Sequence, residues 1–411
     1  MAVRKIIHLD LDAFFCAVEE QSDPALRGVA FAVGGRPESR GVVASCSYAA
    51  RSYGIRSAMP MAQAVRLYPK LRIIPGHYSA YRQASQLVME IILDIATLVE
   101  QISIDEAFLD VSELTKPGEI IAQDLQSRIN SELGLPCSLG VASNKLVAKI
   151  ATDIGKAASP KSGNPPNAIQ VVPPGKEADF LAPLPVEYMW GIGKKTAASL
   201  AELGIKTIGD LAQIPEIDLI KRFGKLGFEL ARHARGIDDR PIVTQHVIKS
   251  ISQETTFPKD VHEREILLNT IHELSLQVAR RLKNNHLEGT TVKLKLRWSD
   301  FTTLTRQTTL TQPTDIAEII TKSAQQLFEN TWQPGRPVRL LGIGISGLFP
   351  YQYRLWEKAD DAPELEKEQR LLTALDQLHQ RFGYHIIRIG ETVPRTKFPG
   401  QETSQKKKGG I

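Results

Sequence analysis

The chain has 411 residues, 42% hydrophobic and 24% charged, with 51 Lys and Arg against 46 Asp and Glu for a net charge of +5. That length exceeds one ordinary hydrophobic core, so several domains are expected and a single small binding module is excluded. No apolar run approaches the ~20 residues of a membrane helix, and residues 1–12 reach charge too early for a secretory signal, which leaves a cytoplasmic protein with no membrane partner as the expectation. The three cysteines, Cys16, Cys46 and Cys137, lack disulfide or zinc-site spacing and fit a reducing compartment.

In chain order, residues 4–12 read as a buried strand that ends in carboxylates, Asp10 and Asp12, and a short helical stretch follows through Glu19 and Glu20. A turn-rich segment around Gly34 and Gly35 leads to a helix over 61–67 and a long amphipathic helix over 79–99. Residues 102–111 (ISIDEAFLDV) predict strand, acidic turn, strand, with 102–104 and 108–111 as the strands. Adjacent side chains on a straight strand point to opposite faces, so Asp105 and Glu106 meet at one point only if the backbone bends there. The proline-rich 159–174 reads as a loop or linker.

A smaller helical region then surrounds Gly191-Ile192-Gly193, whose glycines would let backbone N–H groups and a helix N-terminus approach a phosphate. Gly224–Gly227 is a poorer instance of the same pattern. Beyond the charged connector 238–241 the order is strand, helix, strand, strand, helix, strand, a split βαβ arrangement over 250–347. Asp315 and Glu318 form a candidate capping box for its second helix. Strict alternation in 292–298 puts Lys293, Lys295 and Arg297 on one sheet face, a pattern suited to a phosphate backbone and also to an ordinary solvated surface. The last residues read as a tail with one helix over about 362–381.

Asp10, Asp105 and Glu106 are hard oxygen donors of the kind that hold Mg²⁺, and paired divalent ions can stabilise both attacking and leaving oxygens of a phosphoryl transfer. Spacing alone does not choose between Asp10 and Asp12, which share a strand face. Tyr48 and Arg51, three apart, project together and can offer a hydroxyl and a forked guanidinium to a triphosphate.

Four stretches occur in an order that resembles the Y-family translesion DNA polymerases, and within them the bacterial DNA polymerase IV type: 9–20 (LDLDAFFCAVEE), 47–55 (SYAARSYGI), 103–110 (SIDEAFLD) and 139–151 (LGVASNKLVAKIA). The resemblance extends over about 4–350. It implies an α+β right hand: palm (1–10 and 77–172), fingers (11–76), helix-hairpin-helix thumb (173–237), linker (238–246), a split βαβ little finger (247–350) and a tail (351–411). It picks Asp10 over Asp12 and makes Asp10, Asp105 and Glu106 the catalytic metal ligands for two Mg²⁺, helped by the Leu11 carbonyl. Ser45, Tyr48, Arg51, Lys156 and the backbone at Phe14 and Phe15 would bind the nucleotide, and Phe15 would exclude the ribose 2′-hydroxyl. Lys156 keeps the family spacing from Asp153, although Lys161 lies beside the proline and glycine that follow the family's lysine. Gly191, Gly193, Lys293, Lys295 and Arg297 would grip primer–template DNA. Gln352, Leu355 and Trp356 resemble a sliding-clamp-binding peptide.

The implied activity is error-prone, template-directed addition of deoxynucleoside triphosphates across damaged bases by a monomer without proofreading. Two rival functions share parts of the pattern. Against a non-catalytic DNA-binding adaptor stand the three acids, and against a nucleotide cyclase stand the glycine turn and basic strand.

Overall fold

The computed structural model describes residues 4–159 and 163–350. The chain opens on β1 (Ile6–Leu11), turns at Ala13, whose backbone is left-handed (φ 47°), and enters α1 (Phe14–Ser22). A small module follows, in which β2 (Phe31–Gly34) pairs antiparallel with β3 (Val43–Cys46) and parallel with β4 (Arg72–Ile74). The one-turn α2 (Tyr48–Arg51) and α3 (Met61–Leu67) lie between β3 and β4 in sequence. One face of this sheet packs on a core of its own, built from Ala32, Val43, Cys46, Ile55 and Met61, while Phe31 and Val33 on the other join the core of Leu9 and Phe14. The sequence does not announce this sheet, because strands of three or four residues are too short to display an alternation.

The chain returns through α4 (Tyr78–Ile95), β5 (Leu98–Gln101), β6 (Glu106–Asp110), α5 (Gly118–Leu133), β7 (Cys137–Ala142), α6 (Lys145–Ala158) and β8 (Ile169–Val171). The sheet order is β5-β6-β1-β7-β8. Three boundaries differ from the sequence expectation. The helix expected over 79–99 stops at Ile95, because Leu98 and Val99 pair with Asp110 and Leu109 at the sheet edge. For the same reason the first strand of the acidic hairpin is Leu98–Gln101, and 102–104 lie in the turn. The proline-rich stretch contains β8, held by parallel pairing of Ile169 and Val171 with Leu139 and Val141. That pairing is long-range and leaves no mark on local composition.

Alternation along β1 separates the two faces of this sheet. Ile7, Leu9 and Leu11 bury against Val88 and Ile92 of α4 and Ile121 and Leu125 of α5. Ile6, His8 and Asp10 face α6 instead: Ile6 joins Leu146 and Ile150 in a second core, and His8 Nδ1 lies 2.9 Å from Thr152 Oγ1. Asn144 caps α6 by accepting the Val147 N–H at 3.0 Å. The helix meets β7 backbone to backbone, since a Cβ on Gly140 would lie 2.0 Å from the Ala148 carbonyl oxygen.

Five helices follow: α7 (Glu177–Leu181), α8 (Lys194–Ala201), α9 (Ile208–Gln213), α10 (Glu216–Phe223) and α11 (Lys225–Ala234). Leu181, Leu200, Leu211 and Leu230 share the core of Ile6, Phe108 and Leu146, so this region is built onto the back of α6. The Gly191 turn lies between α7 and α8, with a single 3₁₀ turn, Val186–Tyr188, between α7 and the glycines. Gly227, in the poorer glycine pattern, has a packing reason instead: an added Cβ would lie 2.0 Å from the Leu219 carbonyl oxygen.

Residues 236–243 are then strapped across the N-terminus of α6. Asn144 Nδ2 donates to the Gly236 carbonyl (2.8 Å), the Leu146 N–H to Asp238 Oδ2 (3.0 Å), and Lys145 Nζ to the Pro241 carbonyl (3.3 Å). The Val243 N–H donates to Glu100 Oε2 (2.8 Å), which also receives Lys145 Nζ at 2.6 Å in a buried ion pair.

The last described module runs β9 (Ser250–Val261), α12 (Arg264–Asn284), β10 (Leu287–Trp298), β11 (Thr303–Thr314), α13 (Ala317–Glu329) and β12 (Val338–Pro350). The sheet order β11-β10-β12-β9 puts β12 between β9 and β10, the split arrangement read from the sequence. The expected capping by Asp315 does not form: α13 starts at Ala317, and Thr314 Oγ1 accepts the Ile316 N–H at 3.1 Å. This module has a separate core around Trp298, Phe328 and Ile343. It meets the β2–β4 module through Arg40, whose guanidinium donates to Asp260 Oδ1 (2.8 Å) and the Phe257 carbonyl (3.1 Å).

Because the α6–β7 contact has no room for a side chain, Gly140→Val is expected to lower stability by about 3 kcal/mol in urea unfolding, the cost typical of severe overpacking. A loss below about 1 kcal/mol would show that α6 is free to retreat from the sheet.

Candidate active site

The register of β1 against β6 makes Asp10 the direct partner of Glu106, so their side chains share the α6 face of the sheet. Asp105 closes the turn before β6, and its carbonyl accepts the Leu11 N–H at 3.0 Å. Ser103 shapes that turn: its hydroxyl accepts the N–H groups of Asp105 (3.2 Å) and Glu106 (3.0 Å) and donates to Asp105 Oδ1 (2.5 Å). Asp10, Leu11, Phe14, Phe15, Ser45, Arg51, Asp105 and Lys156 line one cleft of about 290 Å³.

Two lysines of α6 reach these acids. Lys156 Nζ lies 2.5 Å from Asp10 Oδ1 and 3.1 Å from Asp12 Oδ1, and Lys149 Nζ lies 3.0 Å from Glu106 Oε1. Burial alone would lower the Lys156 pKa, but Asp10 and Asp12 overcome it and hold the ammonium above its ordinary value. Burial raises the Glu106 carboxyl above the usual range, with Lys149 opposing and Asp10 adding to the rise. Among the described residues no three His, Cys, Asp or Glu side chains converge closely enough to hold a metal ion. The three acids expected to do so are engaged separately, Asp10 by Lys156, Glu106 by Lys149 and Asp105 by Ser103. As donors they remain hard carboxylate oxygens on adjoining backbone, the chemistry a divalent cation such as Mg²⁺ requires.

Asp12 differs from Asp10 in its surroundings. It is fully buried, accepts from Ser138 Oγ (2.9 and 3.0 Å) and the Asn167 N–H (2.9 Å), and pairs with Lys156. The Tyr48 hydroxyl lies 3.5 Å from the same carboxylate. With its oxygens committed to neighbours, Asp12 has a structural occupation that Asp10 lacks. Tyr48 and Arg51 do project together, the guanidinium carbon lying 4.4 Å from the Tyr48 ring centroid, yet Tyr48 lines an adjoining hollow with Asp12 and Ala13 rather than the main cleft. Ser45 is largely buried and takes the Cys16 thiol at 3.5 Å, a thiol whose pKa burial pushes up to about 12. Phe14 is buried in the core, whereas Phe15 is partly exposed at the cleft wall.

The residues expected to meet nucleic acid lie elsewhere. Gly191 has a positive φ of 97° and Gly193 caps α8, both in open space. Lys293, Lys295 and Arg297 alternate with buried Val292, Leu294 and Leu296 on β10. Lys295 pairs with Glu254 at 2.7 Å and Arg297 Nε donates to Thr303 Oγ1 at 2.8 Å. Gln352, Leu355, Trp356 and Lys161 lie outside the described residues. Lys149 and Ser103 were not singled out from the sequence. Lys149 carries a legible signal, since it stands four residues after Lys145 and seven before Lys156, a helical stripe.

Comparison with known proteins bears on what this arrangement serves. Models of the impB/mucB/samB family match residues 9–153, the HHH motif of the IMS family matches 174–205, and the impB/mucB/samB C-terminal domain matches 248–357. A DNA polymerase IV of Desulfatibacillum aliphaticivorans is 40% identical over 389 residues, covering 93% of this chain and 95% of that one. The chain belongs to the impB/mucB/samB family of Y-family DNA polymerases. The DNA polymerase IV of Dehalococcoides mccartyi strain CBDB1 is 38% identical over 396 residues (95% and 98% of the two chains), and that of Listeria monocytogenes serotype 4a is 40% identical over 353 (85% and 97%). Among solved structures, a Y-family polymerase chimera, Dbh-Dpo4(243-245)-Dbh, superposes with a TM-score of 0.75 at 24% identity, covering 84% of this chain and 99% of that one. An insertion ternary complex of Dbh DNA polymerase gives 0.60 at the same identity and coverage. These two show a shared fold. As a Y-family member the chain is a DNA-directed DNA polymerase of the translesion class, a class that depends on divalent metal. No helix among the described residues is long and apolar enough to cross a membrane.

The different surroundings of the two aspartates give a test. Asp12→Ala leaves Lys156, Ser138 and a backbone N–H short of a buried partner and is expected to cost about 3–5 kcal/mol. Asp10→Ala leaves Lys156 its pair with Asp12 and removes a like charge beside Glu106, so it is expected to cost less, about 1–2 kcal/mol. Urea unfolding in chelator measures both, and equal losses would contradict the assignment.

Proposed function

We propose that this Y-family polymerase extends a primer 3′ end along a damaged or undamaged template, error-prone and without proofreading, with Asp10, Asp105, Glu106 and the Leu11 carbonyl holding two Mg²⁺ ions. The observation that carries the reading is the pairing of Asp10 with Glu106 across β1 and β6, beside Asp105 and at the edge of a cleft lined by Phe15, Ser45, Arg51 and Lys156. When bound, such ions lower the pKa of an attacking hydroxyl and neutralise charge on a phosphoryl group in flight. The chain's own groups do the positioning. Lys156, Arg51, Ser45, Tyr48 and the N–H groups of Phe14 and Phe15 bind the triphosphate, and Asp12 steadies Lys156 and Tyr48 from behind. Phe15 occupies the space a ribose 2′-hydroxyl would need.

The domain assignment follows the same reading: palm 1–10 and 77–172, fingers 11–76, thumb 173–237, linker 238–246, little finger 247–350 and tail 351–411. The Gly191–Gly193 turn and the Lys293, Lys295, Arg297 face grip primer–template DNA by its phosphates. Gln352, Leu355 and Trp356 engage a sliding clamp, which raises the effective concentration at the primer end. The protein acts as a cytoplasmic monomer.

Two measurements test this. In primer extension with Mg²⁺, Glu106→Ala is expected to cut the rate by roughly a thousandfold, the loss of several kcal/mol of charge stabilisation, with primer–template binding unchanged. A rate near that of the native chain would remove Glu106 from the chemistry. Second, Lys293→Ala combined with Arg297→Ala is expected to reduce the slope of log affinity against log salt by about 1.8, the release of two phosphate contacts. An unaltered slope would place DNA on another face.

A further inference from the structure

Behind Phe15 lies a chain of contacts to which the proposed function gives no role. The Phe15 ring stacks flat on Tyr81 of α4, centroids 4.2 Å apart and planes within 10°, and meets the Tyr78 ring edge-on at 5.8 Å. Tyr81 is fully buried, and its hydroxyl donates to Glu19 Oε1. Glu19 stands four residues after Phe15 on α1, hence on the same side of that helix, and is 5% exposed. Its two oxygens also lie 2.8 and 3.1 Å from His77 Nδ1.

A buried carboxylate persists only where its oxygens are satisfied, and a buried tyrosine hydroxyl likewise needs a partner. Here each requirement is met by the other, between α1, which carries Phe15, and the first turn of α4. The consequence is mechanical. Stacking alone leaves one ring free to slide over another, whereas a hydroxyl fixed to a carboxylate on the helix of Phe15 itself fixes the plane on which Phe15 rests. Burial raises the Tyr81 pKa, with Glu19 adding to the rise, so the hydroxyl keeps the proton it donates.

We propose that Glu19 is a positioning residue for sugar discrimination: by holding Tyr81 it stiffens the surface behind Phe15, so that the ring cannot yield to a ribonucleotide 2′-hydroxyl. The inference rests on the reading of Phe15 as the group that excludes that hydroxyl. Selectivity of this kind is a difference in transition-state binding, and a wall that gives way admits both substrates.

The test is kcat/KM for a deoxy- and a ribonucleoside triphosphate of the same base, with the full-length chain, primer–template and Mg²⁺, for the native protein, Glu19→Met, Tyr81→Phe and Phe15→Ala. Glu19→Met, which removes the acceptor oxygens at similar length, and Tyr81→Phe, which removes the donor, are each expected to lower the deoxy-to-ribo ratio about tenfold, through faster ribonucleotide use, with deoxynucleotide kcat/KM held within about twofold. The double variant should match the singles, because both break one link. Tyr81→Phe keeps the ring and the stack, so it reads the link even if Glu19→Met folds poorly. If Phe15→Ala loses discrimination while both other variants retain it, the anchoring role is wrong and the Phe15 reading stands. If Phe15→Ala leaves the ratio unchanged, the Phe15 reading fails and the inference fails with it. An equal loss for both nucleotides in Glu19→Met and Tyr81→Phe would reduce Glu19 to a folding role and overturn the proposal.

Discussion

Three lysines along one side of α6 meet acids on three neighbouring strands: Lys145 meets Glu100 on β5, Lys149 meets Glu106 on β6, and Lys156 meets Asp10 at the end of β1. The site depends on this match. Carboxylates brought together at a strand end and partly removed from water repel one another and resist ionisation. Each of these has an ammonium within ion-pair distance, which opposes that repulsion where Asp10 and Glu106 stand side by side. The helix supplies in one element the counter-charge that three separate strands require.

The same helix fixes more than the acids. Its first turn binds the strap 236–243 through Asn144, Lys145 and Leu146, while its buried face shares a core with the helices that follow. A displacement of those helices is therefore felt at the acids through a rigid element rather than through a loop. The β9–β12 module stands apart in this respect with a core of its own, and the β2–β4 module does so in part, since its Phe31 and Val33 join the core under β1. Arg40, reaching Asp260, ties those two modules by a polar contact, which resists separation while leaving both interiors intact.

Much of this was legible before the structure. The β-α-β-β-α-β order of 250–347 and the basic alternation of β10 follow from periodicity, because each element is long enough to show one, and the strand that carries Asp10 follows from its apolar run. What escaped the sequence is what long-range pairing decides. Leu98 and Val99 extend a helical pattern and become a strand only because β6 offers an edge, and Ile169–Val171 is a strand only because β7 lies beside it. Asp10 and Asp12 could not be told apart by spacing, since alternation places both on one face. Burial separates them, and burial is a property of the neighbours Ser138 and Asn167, which are more than a hundred residues away in sequence. Lys149 went unnoticed although its spacing from Lys145 and Lys156 was in plain view, because a lysine on a helix is ordinarily a solvated side chain.

Gly140 gives this arrangement an unusual kind of permanence. Elsewhere in the core the gap between helix and strand is set by the side chains that fill it, and it shifts when one of them is exchanged for a larger or smaller one. At Gly140 main chain rests on main chain, and the Ala148 carbonyl leaves no volume to vary. The distance from α6 to the central sheet is thus written in atoms that every residue type shares. Apolar residues of the surrounding core can be exchanged without altering the spacing between the ammoniums of α6 and the carboxylates of the sheet.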